Sequence, residues 1–245
     1  MGIARRYIHR IHRETGFYAA WTPAQPLALG DYGPLDDNGA FQRVGNVGDL
    51  GFGPLTALTE PRPNDFLDVT TGSGTSVTIK AAGQVLAGSS LPQASAGLRI
   101  SITAADALVC KLSGPRQETL KAMAALQAFV VQAYRDGRWT KDWRIVTQRV
   151  VADGATIVYS DSDTVEVEAT ANAEITDIAN PSLGFVVVAK KGGSVSVVGA
   201  PGLTPFVSLV RLRNPVFGAP ELRAFTPAMV GDGLVQPMLM LEVPL

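Results

Sequence analysis

Apolar and polar residues alternate along several stretches of this chain, as they do in strands that bury one face of a sheet. The longest alternating stretches are residues 76–87, 98–111 and 164–175. The first two are joined by a connection rich in Gly, Ser and Pro, residues 88–97, which we expect to be mobile. The pattern predicts one β-hairpin from the first two stretches and a second hairpin that begins with the third.

Turn signals divide the remaining apolar stretches. Asp153-Gly154 predicts a turn between strands at 143–151 and 155–160. Gly192-Gly193 predicts a hairpin between residues 185–189 and 195–198. The second half of the chain is therefore expected to consist mostly of short antiparallel strands.

A three-to-four residue spacing of apolar positions predicts one long helix between the two hairpins. We expect it to run from Pro115 to about Arg135, with Ser113 as a cap and Asp136-Gly137 as the end. Its apolar face would carry Leu120, Met123, Leu126, Val130 and Tyr134. That face is expected to lie on the hairpins.

A second helix is predicted at the N-terminus, over residues 3–13, ended by Gly16. Its apolar residues, Ile3, Tyr7, Ile8 and Ile11, share one face, and its basic residues, Arg5, Arg6, Arg10 and Arg13, cover the rest. A basic amphipathic helix of this kind binds anionic membrane surfaces. The same pattern also fits a terminal helix that docks on the core with its arginines in water, and both interpretations stay open.

These elements define an α+β fold: a twisted, mostly antiparallel sheet with a basic N-terminal helix, one long central helix and two extendable β-hairpins. We expect one domain over residues 1–218, followed by a tail, Ala219–Leu245, that is punctuated by proline and ends in the apolar MLMLEVPL.

Composition limits the function. The net charge is -1, which argues against a general nucleic-acid binder. The chain has 1 cysteine, Cys110, which fits a reducing compartment and is expected in the core. Neither a signal peptide nor a run of ~20 apolar residues is apparent, so we expect a soluble cytoplasmic chain.

Catalytic signatures are missing. The chain has 2 histidines, His9 and His12, both on the basic helix, and they are accompanied by no metal-ligand set. Neither a nucleophile elbow nor a phosphate-binding loop occurs. We therefore expect neither an enzyme nor a cofactor.

Two functions fit the alternation. The strands can form an ordinary soluble sheet, with the apolar face on a helix and the polar face in water. They can also form the walls of a membrane barrel, in which a strand of ~9–11 residues turns apolar side chains to lipid. A single hairpin cannot span a membrane because its edges leave backbone groups unpaired, so that many copies must close the barrel.

The order of these segments resembles the pore-forming domain of the gasdermin family. The opening MGIARRYIHRIHRETGFYAAWTPAQPL is similar to the family's start. SVTIKAAGQVLAGSS with LRISITAADALV resembles the first membrane-inserting hairpin, and DWRIVTQRVVADGATIVYSDSDTVEVEA resembles the strand entering the second. SVSVVGAPGLTPFVSLVRL resembles the closing strands, so that the resemblance covers most of residues 1–213.

The resemblance implies a cytoplasmic protein that is activated by a protease, binds acidic lipids at the inner face of the cell membrane, oligomerises and kills the cell through a β-barrel pore. For a short bacterial or fungal member this includes antiphage defence, with the tail as the inhibitory segment. The lipid headgroups would meet Arg5, Arg6, Arg10 and Arg13. The membrane-facing residues would be Val77, Ile79, Ala81, Leu98, Ile100, Ile102, Val165, Val167, Ala169 and Ala171. Glu166 and Glu168 would face the lumen.

One feature departs from the short bacterial members, which often carry a lipidated cysteine near the N-terminus, whereas this chain has none there. The alternative function is a soluble β-rich assembly or binding module of the phage or secretion-system type, in which the strands build oligomer contacts without lipid.

Overall fold

A computed structural model describes residues 2–23, 25–63, 65–71, 74–213 and 219–226 of the chain. Within them, the helices are α1 (Ile3–Thr15), α2 (Met123–Arg135) and a one-turn 3-10 helix, Pro181–Leu183. The strands are β1 (Tyr18–Ala19), β2 (Asp31–Gly33), β3 (Gly45–Asn46), β4 (Ala57–Pro61), β5 (Val69–Thr71), β6 (Thr75–Lys80), β7 (Ala96–Ile102), β8 (Ala107–Ser113), β9 (Arg116–Leu120), β10 (Arg144–Ser160), β11 (Val165–Ala171), β12 (Val186–Lys191), β13 (Ser194–Arg213) and β14 (Glu221–Ala224).

The strands form two antiparallel sheets. The large sheet has ten strands and is built around β10 and β13, which pair along almost their whole length. The small sheet has four strands in the order β6-β7-β11-β12. Together with α1 and α2 these sheets confirm the predicted α+β fold with mostly antiparallel strands.

Strand β10 runs without interruption through the predicted turn at Asp153-Gly154, so the prediction of two short strands there was wrong. The strand has 17 residues and is about 55 Å long. Gly154 pairs with Ser113 on one side and Pro201 on the other, and these two partners keep the backbone extended. A Cβ at Gly154 would lie 2.1 Å from the carbonyl oxygen of Ala179, so glycine is required here for close packing rather than for a turn.

The central helix begins at Met123 and not at Pro115. Residues 116–120 form β9, because their backbone binds β10 on one side and β4 on the other. Such tertiary pairing overrides local helix signals. The helix also packs elsewhere than predicted: Leu126 and Val130 contact the cluster around Ile145 and Leu212, at the start of β10 and the end of β13, and not the hairpins.

The first helix has the predicted extent and buried face. It ends at Gly16, whose φ of 75° is left-handed, and Tyr7, Ile8 and Ile11 are at most 2% exposed. These three residues pack with Leu108 of β8 in the main core. The next residue of β8, Val109, belongs instead to a separate cluster formed with the small sheet. Because neighbouring residues of a strand point to opposite faces, α1 and the small sheet cover opposite faces of the large sheet.

Part of the predicted tail belongs to the large sheet. Strand β14 pairs with Val210–Arg213 at the end of β13. Residues 227–245, which include the apolar end, lie outside the described residues. The predicted boundary near 218 and the inhibitory role of the tail stay predictions.

Candidate membrane-inserting hairpins

The small sheet consists of two hairpins, each inserted between two paired strands of the large sheet. Hairpin β6–β7 lies between β5 and β8, and hairpin β11–β12 lies between β10 and β13. The first hairpin and the first strand of the second were predicted. The hairpin predicted around Gly192-Gly193 was wrong, because β12 pairs with β11 in the small sheet while β13 belongs to the large one. Here a pair of glycines carries the chain from one sheet to the other.

The two sheets keep the same strand order. The large sheet contains the sequence of neighbours β5-β8-β10-β13, and the strands continuous with them in the small sheet are ordered β6-β7-β11-β12. All four strands pass out of the large sheet at the same end of the strands. At that end Thr71 pairs with Leu108, Ala107 with Ser160, and Ser160 with Ser194. The structure is therefore a four-stranded sheet folded back on itself.

The fold occurs at two central segments, residues 103–106 between β7 and β8 and residues 161–164 between β10 and β11, which we call the corner. Before the corner Ile102 pairs with Val165, and after it Ala107 pairs with Ser160. The two segments have equal length, so the β7–β11 ladder and the β8–β10 ladder share one register. The central strands would not have to slip for the corner to straighten into a continuous ladder, whereas the outer ladders change register by two residues between β5–β8 and β6–β7 and by three between β10–β13 and β11–β12.

The apolar residues also keep their parity across the corner. On the large sheet, odd-numbered Ile157 and Tyr159 face the main core. On the small sheet, odd-numbered Val165 and Val167 are the buried residues of β11. In a straight strand, residues of one parity lie on one face. Straightening would thus place the apolar residues of both parts on the same side.

Most of the residues predicted to face the membrane form one face of the small sheet, which packs against Val109 and Val158 of the large sheet. On the central strands β7 and β11, the residues predicted to face the membrane are buried: Leu98, Ile100, Ile102, Val165, Val167, Ala169 and Ala171. On the edge strand β6, Val77 and Ile79 oppose Ile100 and Leu98 and are 39% and 47% exposed. Ala81 differs from the prediction, because β6 ends at Lys80 and Ala81 belongs to the following connection.

The polar face of the small sheet is covered by residues 81–95, which we call the strap. Lys80 is only 2% exposed, and its Nζ lies within hydrogen-bond distance of four backbone carbonyls at the base of the strap. Two of these distances are 2.9 Å to Pro92 and 3.2 Å to Gln93. Of the connection 88–97 that was expected to be mobile, residues 88–95 belong to this attached strap and residues 96–97 to β7, while residues 81–87, which were expected to continue the strand, also lie in the strap. The sequence placed Lys80 among the polar positions but gave no sign of these partners.

A buried ion pair holds the middle of the strap. Glu168 is 0% exposed, accepts a hydrogen bond of 2.7 Å from Arg99 Nε, and accepts another of 2.8 Å from the Ser90 amide. Burial raises the pKa of Glu168, but the hydrogen bonds from Ser89, Ser90 and Arg99 outweigh it and hold the pKa below its ordinary value. Glu168 lies on the predicted polar face, but it is covered by the strap rather than open to water.

The four arginines predicted to bind headgroups are grouped on α1. Arg6 Nη2 lies 3.0 Å from Asp161, and Arg10 and Arg13 lie 3.3 and 3.4 Å from Asp106. Arg5 is half-buried on the same helix. Burial, followed by the charges of Arg5 and His12, lowers the pKa of His9, and burial also lowers the pKa of His12. At neutral pH the positive charge of α1 therefore comes from its arginines.

Comparisons with known proteins leave this chain without a family assignment. No family model matches it, and neither does any curated protein. One solved structure, described as the cryo-EM structure of the gasdermin A3 membrane pore, is 11% identical, covers 91% of this chain and 95% of its own, and has a TM-score of 0.26. A similarity of this degree carries no argument. No helix in the described part of the chain is long and apolar enough to cross a membrane.

Proposed function

We propose that this chain is a pore-forming protein that binds acidic lipids, oligomerises and inserts the hairpins β6–β7 and β11–β12 into the membrane as part of a β-barrel. The supporting observation is the common register of the two central ladders, β8–β10 and β7–β11, on both sides of the corner. A sheet that only folds over for packing has no need of equal-length segments between the same pairs of strands. A sheet that must straighten does, because a change of register would break every backbone hydrogen bond of the ladder.

The lengths agree with this function. From the corner outward, the central strands comprise residues 96–106 and 161–171, eleven residues each. A spanning β-strand needs ~9–11 residues. The outer strands β6 and β12 have six residues each and would have to grow, the first of them into the strap. Release of the strap is therefore part of the proposed change.

Closure of the barrel needs neighbouring copies, because open strand edges cannot exist in lipid. In the closed chain, the edges of the small sheet are β6 and β12. Both expose apolar residues: Val77 and Ile79 on β6, and Val186, Val187 and Val188 on β12. We infer that β6 of one copy pairs with β12 of the next. Arg5, Arg6, Arg10 and Arg13 would bind headgroups, each near-surface arginine contributing about 1 kcal/mol.

Two adjacent exposed residues of β6 test the membrane-facing assignment. Val77→Asp places a carboxylate on the side proposed to face lipid, at a cost on the order of 1–3 kcal/mol per subunit. Ser76→Asp adds the same charge on the opposite side. Because both side chains are exposed, each variant should lose less than about 1 kcal/mol of folding stability. Val167→Asp is a poorer test, since Val167 is buried between the sheets and its replacement would unfold the closed chain.

The measurement is dye release from anionic vesicles by the intact chain and by chain cleaved before residue 219. We expect Ser76→Asp to resemble the wild type and Val77→Asp to release dye at least about tenfold more slowly. The cleaved arm tests the tail, whose removal would take β14 from the edge of β13. Absence of release by the wild type in both arms would contradict the proposal, as would equal release by the two variants.

The exposed edges of the small sheet also support a second candidate, a soluble assembly module that polymerises by edge pairing without lipid. In that case Val77→Asp would abolish assembly in water, and sedimentation would detect oligomers of the wild type before any lipid is added. A pore-forming chain should sediment as a monomer until it meets anionic vesicles.

A further inference from the structure

The basic helix α1 is attached to the corner itself. Asp161, the partner of Arg6, is the first residue of corner segment 161–164. Asp106, the partner of both Arg10 and Arg13, is the last residue of corner segment 103–106. Three arginines of one helix thus contact the two segments at which the sheet folds back.

Asp106 is also the residue at which the chain turns. Its φ is 58°, a left-handed value that few residues other than glycine adopt and that aspartate tolerates better than most. Its amide donates to the Ser160 carbonyl at 2.9 Å, and its side chain accepts a hydrogen bond of 3.0 Å from Tyr159 Oη. A straight ladder would need an extended backbone here, so whatever holds Asp106 in place holds the corner closed.

We propose that the arginine–aspartate pairs form a lock on the corner and that phosphate oxyanions open it. An arginine guanidinium binds phosphate oxygens as readily as it binds carboxylates. Arg6, Arg10 and Arg13 therefore exchange their aspartate partners for phosphate, and the exchange frees Asp106 and Asp161. The inference rests on the proposed function, for which it supplies the step that links lipid binding to straightening.

The exposure of the pairs determines how strong the lock is. The side chains of Arg6 and Arg13 are 40% and 48% exposed, and only Arg10, at 12%, is well shielded. Exposed ion pairs contribute little individually and are weakened by salt. The lock therefore shifts the equilibrium of the corner by a modest factor, and it is open to competition by an anion in solution or at a surface.

Hydrogen exchange in the full-length chain, without lipid, tests the lock directly. Asp106→Asn together with Asp161→Asn removes both charges while it keeps an acceptor for Tyr159 and a residue type that tolerates the left-handed backbone. We expect residues 103–106 and 161–164 to exchange about three- to tenfold faster than in the wild type. The matched control is Glu14→Gln. Glu14 pairs with the same Arg10 and Arg13, at 3.3 and 3.5 Å, but lies on α1 and not on the corner.

The control should exchange like the wild type at the corner. Unchanged exchange in the aspartate variant would overturn the lock, and so would equal acceleration in the control. Arg10→Gln with Arg13→Gln gives a second measurement from the other side of the pairs. It should accelerate exchange at 103–106, and failure to do so would show that the aspartates act through something other than α1.

The source of the phosphate is distinguished by two probes. Sodium tripolyphosphate is compared with sodium chloride at equal ionic strength, and phosphatidylglycerol vesicles are compared with phosphatidylcholine vesicles. The vesicle arm uses Val77→Asp at times before this variant releases dye, so that exchange reports release of the lock and not insertion. Acceleration by tripolyphosphate assigns the lock to phosphate chemistry in solution, and acceleration by the anionic vesicles alone assigns it to a lipid surface. No acceleration by either probe overturns the proposal.

The lock and the pore fail in different ways. Dye release with no exchange response to any anion would remove the lock and leave the pore. An exchange response in a wild-type chain that never releases dye would leave the lock and remove the pore. If both hold, the aspartate variant should release dye faster than the wild type, and Glu14→Gln should not.

Discussion

The helix α1 and the strap cover the two sheets by opposite means. The helix covers the large sheet with apolar residues, Tyr7, Ile8 and Ile11, and carries its charges at the rim. The strap covers the small sheet through two buried charged residues, Lys80 and Glu168. The cover formed by α1 depends on the packing of apolar side chains, and the cover formed by the strap depends on charged hydrogen bonds. It follows that loss of an apolar side chain should loosen α1, whereas loss of a single charge should loosen the strap.

This difference agrees with the roles proposed for the two parts. A cover built on apolar burial is lost only at a high cost in free energy, so α1 can serve as a stable platform that presents arginines. A cover that depends on a few charged hydrogen bonds can be released by changing one group. The strap must leave the small sheet if β6 is to lengthen, and its attachment has the kind of chemistry that allows this.

The largest effect is expected at the apolar cover. Ile11→Ala removes a side chain that is 0% exposed and should lower the free energy of unfolding by about 2–5 kcal/mol. Ile11→Val, as a graded control, should cost about 0.5–1.5 kcal/mol. Urea denaturation of both variants at two pH values measures the effect. A loss below about 1 kcal/mol for Ile11→Ala would mean that α1 is not closely packed on the sheet.

The next largest effect is expected at the base of the strap. Lys80→Met keeps the length of the side chain but leaves backbone carbonyls without their donor, which should cost about 1–3 kcal/mol. Hydrogen exchange of residues 81–95 should rise while that of β10 stays unchanged. Lys191→Met is the control, since the Lys191 side chain is 67% exposed at the edge of the same sheet. Equal effects of the two variants would contradict a charge-dependent cover.

Acid should release the strap through Glu168. Because the pKa of Glu168 is lowered in the folded chain, its ionised form contributes stability that is present above the ordinary glutamate pKa of about 4.3 and is lost as the pH falls below it. Wild-type exchange at residues 81–95 should therefore rise on acidification, relative to the intrinsic rate. Glu168→Gln should show raised exchange already at neutral pH and a flatter response. Glu166→Gln, which keeps Glu168, should retain the wild-type response, and a flat response of the wild type would refute the assignment.

The sequence predicted the elements whose local pattern coincides with their environment. The spacing of Tyr7, Ile8 and Ile11 identified the buried face of α1, and alternation identified β7 and β11 with the correct buried parity. It could not show which sheet a strand joins, because that depends on partners far along the chain. Gly192-Gly193 connects the two sheets and Asp153-Gly154 lies within a continuous strand, although both dipeptides carry the same local turn signal.

The residues that control the candidate site were the least predictable. The carbonyls around Lys80 come from 1 to 15 residues further along the chain, and those that attach the strap, Pro92, Gln93 and Ser95, are brought back by a conformation that no periodicity encodes. The pairs of α1 with Asp106 and Asp161 span 93 to 155 residues. The spacing of residues 3–13 predicted that the arginines would cluster on one helix, but only the fold shows that they meet the corner.

The smallest effect concerns two tyrosines, one on α1 and one on β10, whose rings meet edge to face with centroids 5.7 Å apart. The Tyr7 hydroxyl is buried and has no hydrogen-bond partner among the described residues, whereas the Tyr159 hydroxyl donates to Asp106. Burial raises the pKa of Tyr7, so the hydroxyl is neutral and contributes only its desolvation cost. Tyr7→Phe should therefore leave the stability unchanged or raise it by up to about 1 kcal/mol, while Tyr159→Phe should lower it by about 1 kcal/mol and speed exchange at residues 103–106. Thermal denaturation of the two variants measures these changes in stability. A destabilised Tyr7→Phe would show that α1 is held by a polar contact. The covers formed by α1 and by the strap would then differ less than the burial of their side chains indicates.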